Sequence, residues 1–527
     1  MSRAALALSL TVALLGADAE AQAPASDPSS SAWFGVMLPP PLSFHELEVL
    51  ADRPAAPAVV PDGERMFTEL AGEAMQRDLA EIVGFARESR TMREVGEGMI
   101  WGRITGFPSG NKTIDWAVDA FRRAGIRDVE LQQFSQAANA GVTLPVSWEV
   151  RLIADPAFGT GTQDVVLESA MPLSDPDLPP EGLTAPLVYV GTASPAELAG
   201  IDVRGKVAVQ KAIPQAHTVF IRDPVGPRAE ALLERGAVAV LTVIDLPGNM
   251  RVNDMGCGPG PCFNIGGRDG LFLERVLDAA SERGGREVRV RLRLDNERFT
   301  GLSAANGVAV IPGSTLPNEY IVLNAHADAW FDGAGDNGDG LAVLVALARH
   351  FARPDVRLER SLVLIASAGH HSGGLSGPGN FVSMNRDIVE NAVLFVNLEH
   401  TSQRNITPAR TEHDDGYREW TMDSYESPIV AGVTNLAPFL EQLIRQGTAR
   451  YGTNFVAGPN TTASGEGGTY SRTGVPVFQT IQGPPLYHTT GEVVEMVSTP
   501  GMERMARFMA FFVKEVSRAP AESIDPS

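Results

Sequence analysis

The sequence predicts an α/β protein, a sheet flanked by helices and interrupted by a second, strand-rich segment. Three observations lead there. Apolar runs at 320–323, 362–366, 393–398 and 475–481 have strand length, and each is followed by an imidazole or a carboxylate. Stretches at 67–90, 113–124 and 340–349 read as helices before and between those runs, the alternation that marks α/β folds. Residues 185–242 differ in texture, with a strand near 185–191, a turn into a second strand at 202–210, and a helix into a third at 228–242. At 527 residues the chain exceeds what one core usually supports, so about two or three domains are expected.

Residues 1–21 read as a secretory signal. Arg3 gives a positive start, 4–15 an apolar core, and Ala19 and Ala21 the small residues of a cleavage site after Ala21. The core is short for a bilayer span, which ranks a membrane anchor second. Residues 22–65, rich in Pro, Ala and Ser, are expected to form an extended or loosely packed arm. The helices and first strands of a catalytic domain follow from 66. Cys257 and Cys262 are the two cysteines, and in an exported chain so tight a pair is expected to form one small-loop disulfide. Two thiolates alone are too few for a soft metal site. Asn111, Asn405 and Asn460 open Asn-x-Thr sequons, informative only in a host that glycosylates.

The net charge of −21 and pI near 4.9 argue against nucleic acid and anionic membranes as partners. No later segment has eighteen uninterrupted apolar residues, so no stable membrane insertion is expected. A homodimer remains open.

The chemistry concentrates at the ends of the four apolar runs. His326, Asp328 and Asp336 lie between the first run and the helix at 340–349, where α/β sheets place ligand and metal sites. The second run leads to His370 and His371, the third to Glu399 and His400, and the fourth to Tyr487 and His488. Of nine histidines, five stand at these ends. Imidazoles and carboxylates that converge in this way suit a divalent ion of zinc type.

The order and spacing resemble the co-catalytic dizinc exopeptidases, the family of bacterial zinc aminopeptidases, carboxypeptidase Q, glutamate carboxypeptidase II and the transferrin receptor. The resemblance covers most of the chain after about Met66. It implies a mixed central sheet flanked by helices and hydrolysis of an amide, in a small peptide or an N-acyl amino acid, by metal-activated water. It implies zinc, two ions or one, on His326, Asp336, His371, Glu399 and His488, with Asp336 as the bridge. Asp328 would hydrogen-bond His326 and set its tautomer, and the peptide between Asp336 and Asn337 would be cis. The texts at 205–209 and 229–241 resemble the protease-associated domain of these enzymes. The implied division is catalytic segments at 66–151 and 299–516, a protease-associated insert at 152–298, and a tail at 517–527.

The chain departs from the family where Glu-Glu is replaced by His370 and His371. Imidazole at the ligand position 371 is conservative for zinc. At the proton-acceptor position, a neutral His370 can take a proton; alternatively it is itself a ligand and peptidase chemistry is lost. In 464–470, Tyr470 is a candidate to hold an oxyanion and Glu466 to bind a substrate amine or act as a displaced acid/base. The same stretch also reads as a glycine-rich flexible loop with a solvated Glu466. Two other functions therefore stay open: a non-catalytic binding relative, and a metal enzyme for a non-peptide substrate.

Overall fold

The four apolar runs become neighbouring strands, in the order Val477–Gln482, Ala392–Leu398, Leu316–His326 and Arg360–Ser367, all parallel. Every residue of Arg360–Ser367 is buried, because helices cover both faces of a parallel sheet and leave no polar side. Ser303–Ile311 and Asp128–Ser135 extend the sheet antiparallel on one side. Ile429–Val433, antiparallel to Val477–Gln482, and the short Phe455–Ala457 complete it on the other. The eight-stranded sheet is therefore mixed. This structure is a computed structural model describing residues 31–47, 49–173, 178–214, 225–254, 260–371, 374–410, 418–457, 463–483 and 486–526. The expected signal segment 1–21, Cys257 and Asn460 lie outside the described residues. Cys262 is disulfide-bonded.

Helices Gly72–Met92, Pro108–Arg123, Asp339–Phe351 and Thr499–Arg518 cover one face around Leu79, Phe121, Leu344 and Phe512. The unbroken apolar run in Asp339–Phe351 fits a helix buried on nearly all sides. Ser498 caps Thr499–Arg518, its hydroxyl accepting from Gly501 N at 3.0 Å. The other face packs Phe381, Phe395 and Tyr470 over the strands. Two helix starts differ from expectation. The first helix begins at Gly72 after a separate 3-10 turn at Thr68–Leu70. The second begins at Pro108, whose fixed φ and missing N–H suit a first helical position.

A second eight-stranded sheet contains, from one edge, Val165–Val166, Val142–Ile153, Arg289–Phe299, Leu183–Tyr189, Val207–Ala212, Ala239–Ile244, Cys262–Ile265 and Met171–Pro172. Val142–Ile153 and Arg289–Phe299 pair antiparallel along their length, so the chain enters and leaves this sheet side by side. Its first strand opens at Val142, earlier than the expected 152, because Leu144 and Trp148 turn into this sheet's own core.

The arm is largely extended and exposed from residue 31 onward, but it is anchored at two places. Trp33 is 1% exposed and stacks on Phe158 at 5.3 Å, and Phe34 lies beside the same ring. Val49–Asp52 pairs parallel with Arg418–Glu426 in a three-stranded sheet with Arg404–Arg410. Aromatic anchors inside a Pro- and Ala-rich text supply the burial that its composition hides. Among the described residues no helix is long and apolar enough to cross a membrane.

Candidate metal centre

Parallel strands present their carboxyl ends on one edge of the sheet, and that edge gathers the residues singled out above. Leu316–His326 ends on His326, Arg360–Ser367 leads to His370 and His371, and Ala392–Leu398 leads to Glu399 and His400. Asp336 stands in the turn between Leu316–His326 and Asp339–Phe351, and its peptide bond to Asn337 is cis. Asn337 ties this turn to the neighbouring strand: its Nδ2 donates to Leu398 O at 2.7 Å and its Oδ1 accepts from His400 N at 3.2 Å.

Asp336, fully buried, is the hub. Its Oδ1 lies 3.2 Å from His326 Nε2, and its Oδ2 lies 2.9 Å from His371 Nε2 and 3.1 Å from His488 Nε2. Yet His326 Nε2, His371 Nε2, His488 Nε2 and Asp336 Oδ2 are buried without a hydrogen-bond partner. Buried polar atoms are rarely left so. Ligand atoms about 3.3 Å apart form the edges of a tetrahedron built on ~2.0 Å bonds, the coordination zinc prefers. The residues present therefore fit zinc. Asp336, His371 and His488 form one group of closely spaced donor atoms, and His326, His370, Glu399 and Glu466 form another. Burial holds the His371 imidazole down to about 3, so it is neutral and its lone pair is available to a cation at ordinary pH. Burial opposes the charge on Asp336, but the His400 ring bonded to its Oδ1 keeps it well below the usual carboxylate range.

Glu399 lies 2% exposed, with Oε2 accepting from Asn397 Nδ2 at 2.9 Å and Gln479 Nε2 at 3.2 Å. Burial and the nearby Glu466 push its pKa up. Glu466 is not a solvated loop residue. It is 3% exposed in the helix Gly465–Ser471, and its Oε1 grips His370 Nδ1. Gly465 permits this approach: its φ is +54°, and a Cβ there would lie 2.9 Å from Glu399 Oε2. Against the cost of burial, His370 holds Glu466 down to about 2, and Glu466 in turn raises His370 well above the ordinary imidazole value. The His370 ring stacks on His326 at 4.2 Å, with Nε2 4.0 Å from Glu399 Oε1.

Two expectations are corrected. The carboxylate of Asp328 does not set the tautomer of His326; its Oδ1 is 3.8 Å from His326 Nδ1. That nitrogen donates instead to the Asp328 backbone carbonyl at 3.0 Å, which still leaves Nε2 with its lone pair. The carboxylate is spent on the His370 and His371 amides, at 3.2 and 2.8 Å, and so shapes their loop. Tyr470 does not offer its hydroxyl to the cluster. Its ring stacks on Phe395 at 4.5 Å, and its hydroxyl donates to Asn324 Oδ1 at 3.0 Å, fully buried. The helix that brings Glu466 inward turns Tyr470, four residues on, into the apolar layer.

Two functional residues were assigned no role from the sequence. His400 Nε2 meets Asp336 Oδ1 at 2.9 Å and its Nδ1 meets Gln482 O at 3.0 Å. Both partners are acceptors, so His400 donates twice and is an imidazolium. Burial opposes this, but the bond to Asp336 raises it to about 10. Its place beside Glu399 was the available signal. Arg103, fully buried, donates to the carbonyls of Ala327, Asp332 and Gly333 at 2.8, 2.8 and 3.0 Å and braces the turn that presents Asp336. No local motif marks it.

Known proteins resemble this chain in sequence and in fold. The chain is 25% identical to carboxypeptidase Q of Bos taurus over 211 residues, 37% of this chain and 42% of that protein. The match thus spans less than half of that relative's length. The fold is shared with a peptidase M28 precursor from Shewanella amazonensis, with a TM-score of 0.60, 18% identity, and 85% and 98% of the two chains covered. It is shared as well with a zinc aminopeptidase from Bacillus subtilis, at 0.54 and 16%, covering 84% and 97%. Residues 306–513, which carry His326, Asp336, His371, Glu399 and His488, match the model of peptidase family M28, and this region of the chain is similar to that family.

Proposed function

We propose that the protein is an exported zinc exopeptidase that hydrolyses an amide bond in small peptides or N-acyl amino acids. The observation that carries the proposal is the convergence of three imidazole Nε2 atoms and Asp336 Oδ2, buried and without hydrogen-bond partners, at the carboxyl ends of parallel strands. Two zinc ions are proposed, one held by Asp336, His371 and His488 and the other by His326, Asp336 and Glu399. Zinc, when bound, acidifies water to the point of attack at neutral pH and polarises a carbonyl.

The chain's own residues supply the rest. With zinc bound, its charge would oppose the protonation that Glu466 favours on His370, and the neutral ring would take the proton of the attacking water at Nε2, because its Nδ1 is occupied by Glu466. Glu466 holds the ring in place and stabilises the imidazolium that forms, so a His–Glu pair does the work of the family's single carboxylate. Asp328 fixes the loop that carries both His370 and His371. His400, bonded to Asp336 Oδ1, offsets part of that carboxylate's charge. The second-sheet segment is proposed as the protease-associated insert, and export rests on residues 1–21.

The test is elemental analysis of the purified protein together with hydrolysis of aminoacyl, dipeptide and N-acyl substrates by wild type, His370→Ala and His370→Glu. Two equivalents of zinc and a rate that falls about 10²–10⁴-fold in His370→Ala support the proposal. A zinc-free, inactive wild type overturns it in favour of a binding relative.

A further inference from the structure

One candidate zinc ligand is held by a segment that belongs to the other sheet. Residues 250–254 follow the second-sheet strand Ala239–Ile244 and cross to the loop that bears His488. Val252 forms an antiparallel bridge with Thr489. Asn253 N donates to His488 O at 2.9 Å, and Thr490 N donates to Arg251 O at 3.1 Å. Arg251 N donates in turn to Thr490 Oγ1 at 3.1 Å. Both residues that flank His488 on its C-terminal side, and His488 itself, are thus bonded to this one segment.

The bonding matters because His488 sits at φ +56°, a left-handed conformation that a residue with a Cβ does not hold at no cost. Such a conformation persists only where the surroundings impose it. Here they impose it from two sides. The Tyr487 ring stacks on the imidazole at 3.5 Å, and the crossing segment binds the backbone. Asp254 Oδ2 stands 3.8 Å from His488 Nδ1, on the ring edge opposite the Nε2 that faces Asp336. Packing reinforces the bonds. Met250 and Val252 are buried together with Leu486, Tyr487 and Met496. Met250 Sδ fills the space in front of Gly491, where a Cβ would lie 2.3 Å from it. The segment is anchored at its other end by the Arg251 guanidinium, which donates to Glu168 O at 3.1 Å and Met99 O at 2.7 Å.

We propose that residues 250–254 of the second-sheet segment are positioning residues of the metal centre: they hold the His488 loop in its ligand conformation, so that docking of this segment and zinc binding by Asp336, His371 and His488 are coupled. The inference rests on the zinc reading above. Coupling of this kind is reciprocal: whatever factor the docked segment adds to zinc affinity, zinc adds to docking. The second-sheet segment is then a structural part of the centre and not only a cover over it.

Gly491→Ala is the test wedge. It touches no ligand, and its Cβ drives Met250 away. Zinc affinity of the full chain is measured by competition with a chromophoric chelator for wild type, Gly491→Ala, Met250→Ala and the double variant. Gly491→Ala is expected to weaken zinc binding by about 10–100-fold, the usual effect of a group that orients a ligand. The double variant is expected to return to the affinity of Met250→Ala alone, because the clashing sulfur is gone. Unchanged affinity in Gly491→Ala, or a loss that Met250→Ala does not relieve, overturns the proposal. A second measurement needs no variant: amide hydrogen exchange of wild type with and without zinc. Slower exchange at Asn253 with zinc, on a segment that carries no ligand, supports the coupling; slowing confined to 486–491 overturns it. A wild type that binds no zinc at all overturns the zinc reading itself, and the coupling with it.

Discussion

Tyr470→Phe separates the role expected of this residue from the place it occupies. The hydroxyl is the sole atom lost. The ring keeps its stack on Phe395 at 4.5 Å, and Phe fills the same pocket. The lost group donates to Asn324 Oδ1 in a site where both residues are at most 1% exposed. Water cannot replace it, so Asn324 keeps a buried oxygen without a donor, at a cost of about 1–3 kcal/mol. The damage also has a direction. Asn324 Nδ2 donates to Asn397 Oδ1 at 2.9 Å, and Asn397 Nδ2 donates to Glu399 Oε2 at 2.9 Å. The hydroxyl is the far end of a chain of amides that ends on a candidate ligand. Gln479 Nε2 holds the same Glu399 oxygen independently, so the chain's loss loosens Glu399 without freeing it. The expected outcome is a lowered unfolding midpoint in denaturant, consistent with ~1–3 kcal/mol, and a kcat that falls less than about 10-fold. A donor to an oxyanion is worth about 10²–10³ in kcat. A Tyr470→Phe variant with wild-type stability and a rate reduced by that factor would refute the buried placement and restore the catalytic one.

His371→Ala should lower zinc affinity at least about 10–100-fold; full metal content after dialysis against a mild chelator would remove His371 from the ligand set. Asp328→Ala deprives two backbone amides of a charged acceptor, each worth about 1.5–3 kcal/mol, and should loosen the loop at 369–371, read as faster proteolysis there and weaker zinc binding; no change in either refutes the bracing role. In chelator-treated protein the His400–Asp336 pair predicts a pH dependence. The folded-state value of His400 is raised from 6.5 to about 10, so its contribution is complete below about 6.5 and is lost as pH rises toward 10. The melting temperature should therefore fall between about pH 6 and pH 9.5 more steeply in wild type than in His400→Gln, and equal slopes would show that His400 is not charged in the fold.

The architecture of the centre was legible because it is written locally. An apolar run of strand length followed by a ligand-type residue needs no partner to be recognised, and four of them in one chain imply one edge of one sheet. The ligand candidates His326, Asp336, His371, Glu399 and His488 come from that pattern and from the resemblance it supports. What each side chain does once there was not written locally. Asp328 and its own backbone carbonyl compete for His326, and only the turn geometry gives the contact to the carbonyl. Glu466 and Tyr470 lie in a text rich in glycine and share one side of a short helix, and only its packing sets Glu466 against His370 and Tyr470 against Phe395. Arg103 reaches its three carbonyls across more than two hundred residues of chain.

The arm and the second sheet teach the same lesson at larger scale. Composition marked 22–65 as loose, yet Trp33, Phe34 and the strand Val49–Asp52 find burial and pairing on distant elements. Val142–Ile153 reads as a strand in either sheet, and its pairing with Arg289–Phe299 decides which. The sequence by itself determined the fold class, the family resemblance and the set of residues that meet at the strand ends, because those depend on periodicity and order along the chain. Only the tertiary structure decided which atom faces which, that His400 is a cation beside Asp336, and that residues 250–254 hold His488, because hydrogen bonds and burial there join segments far apart in sequence.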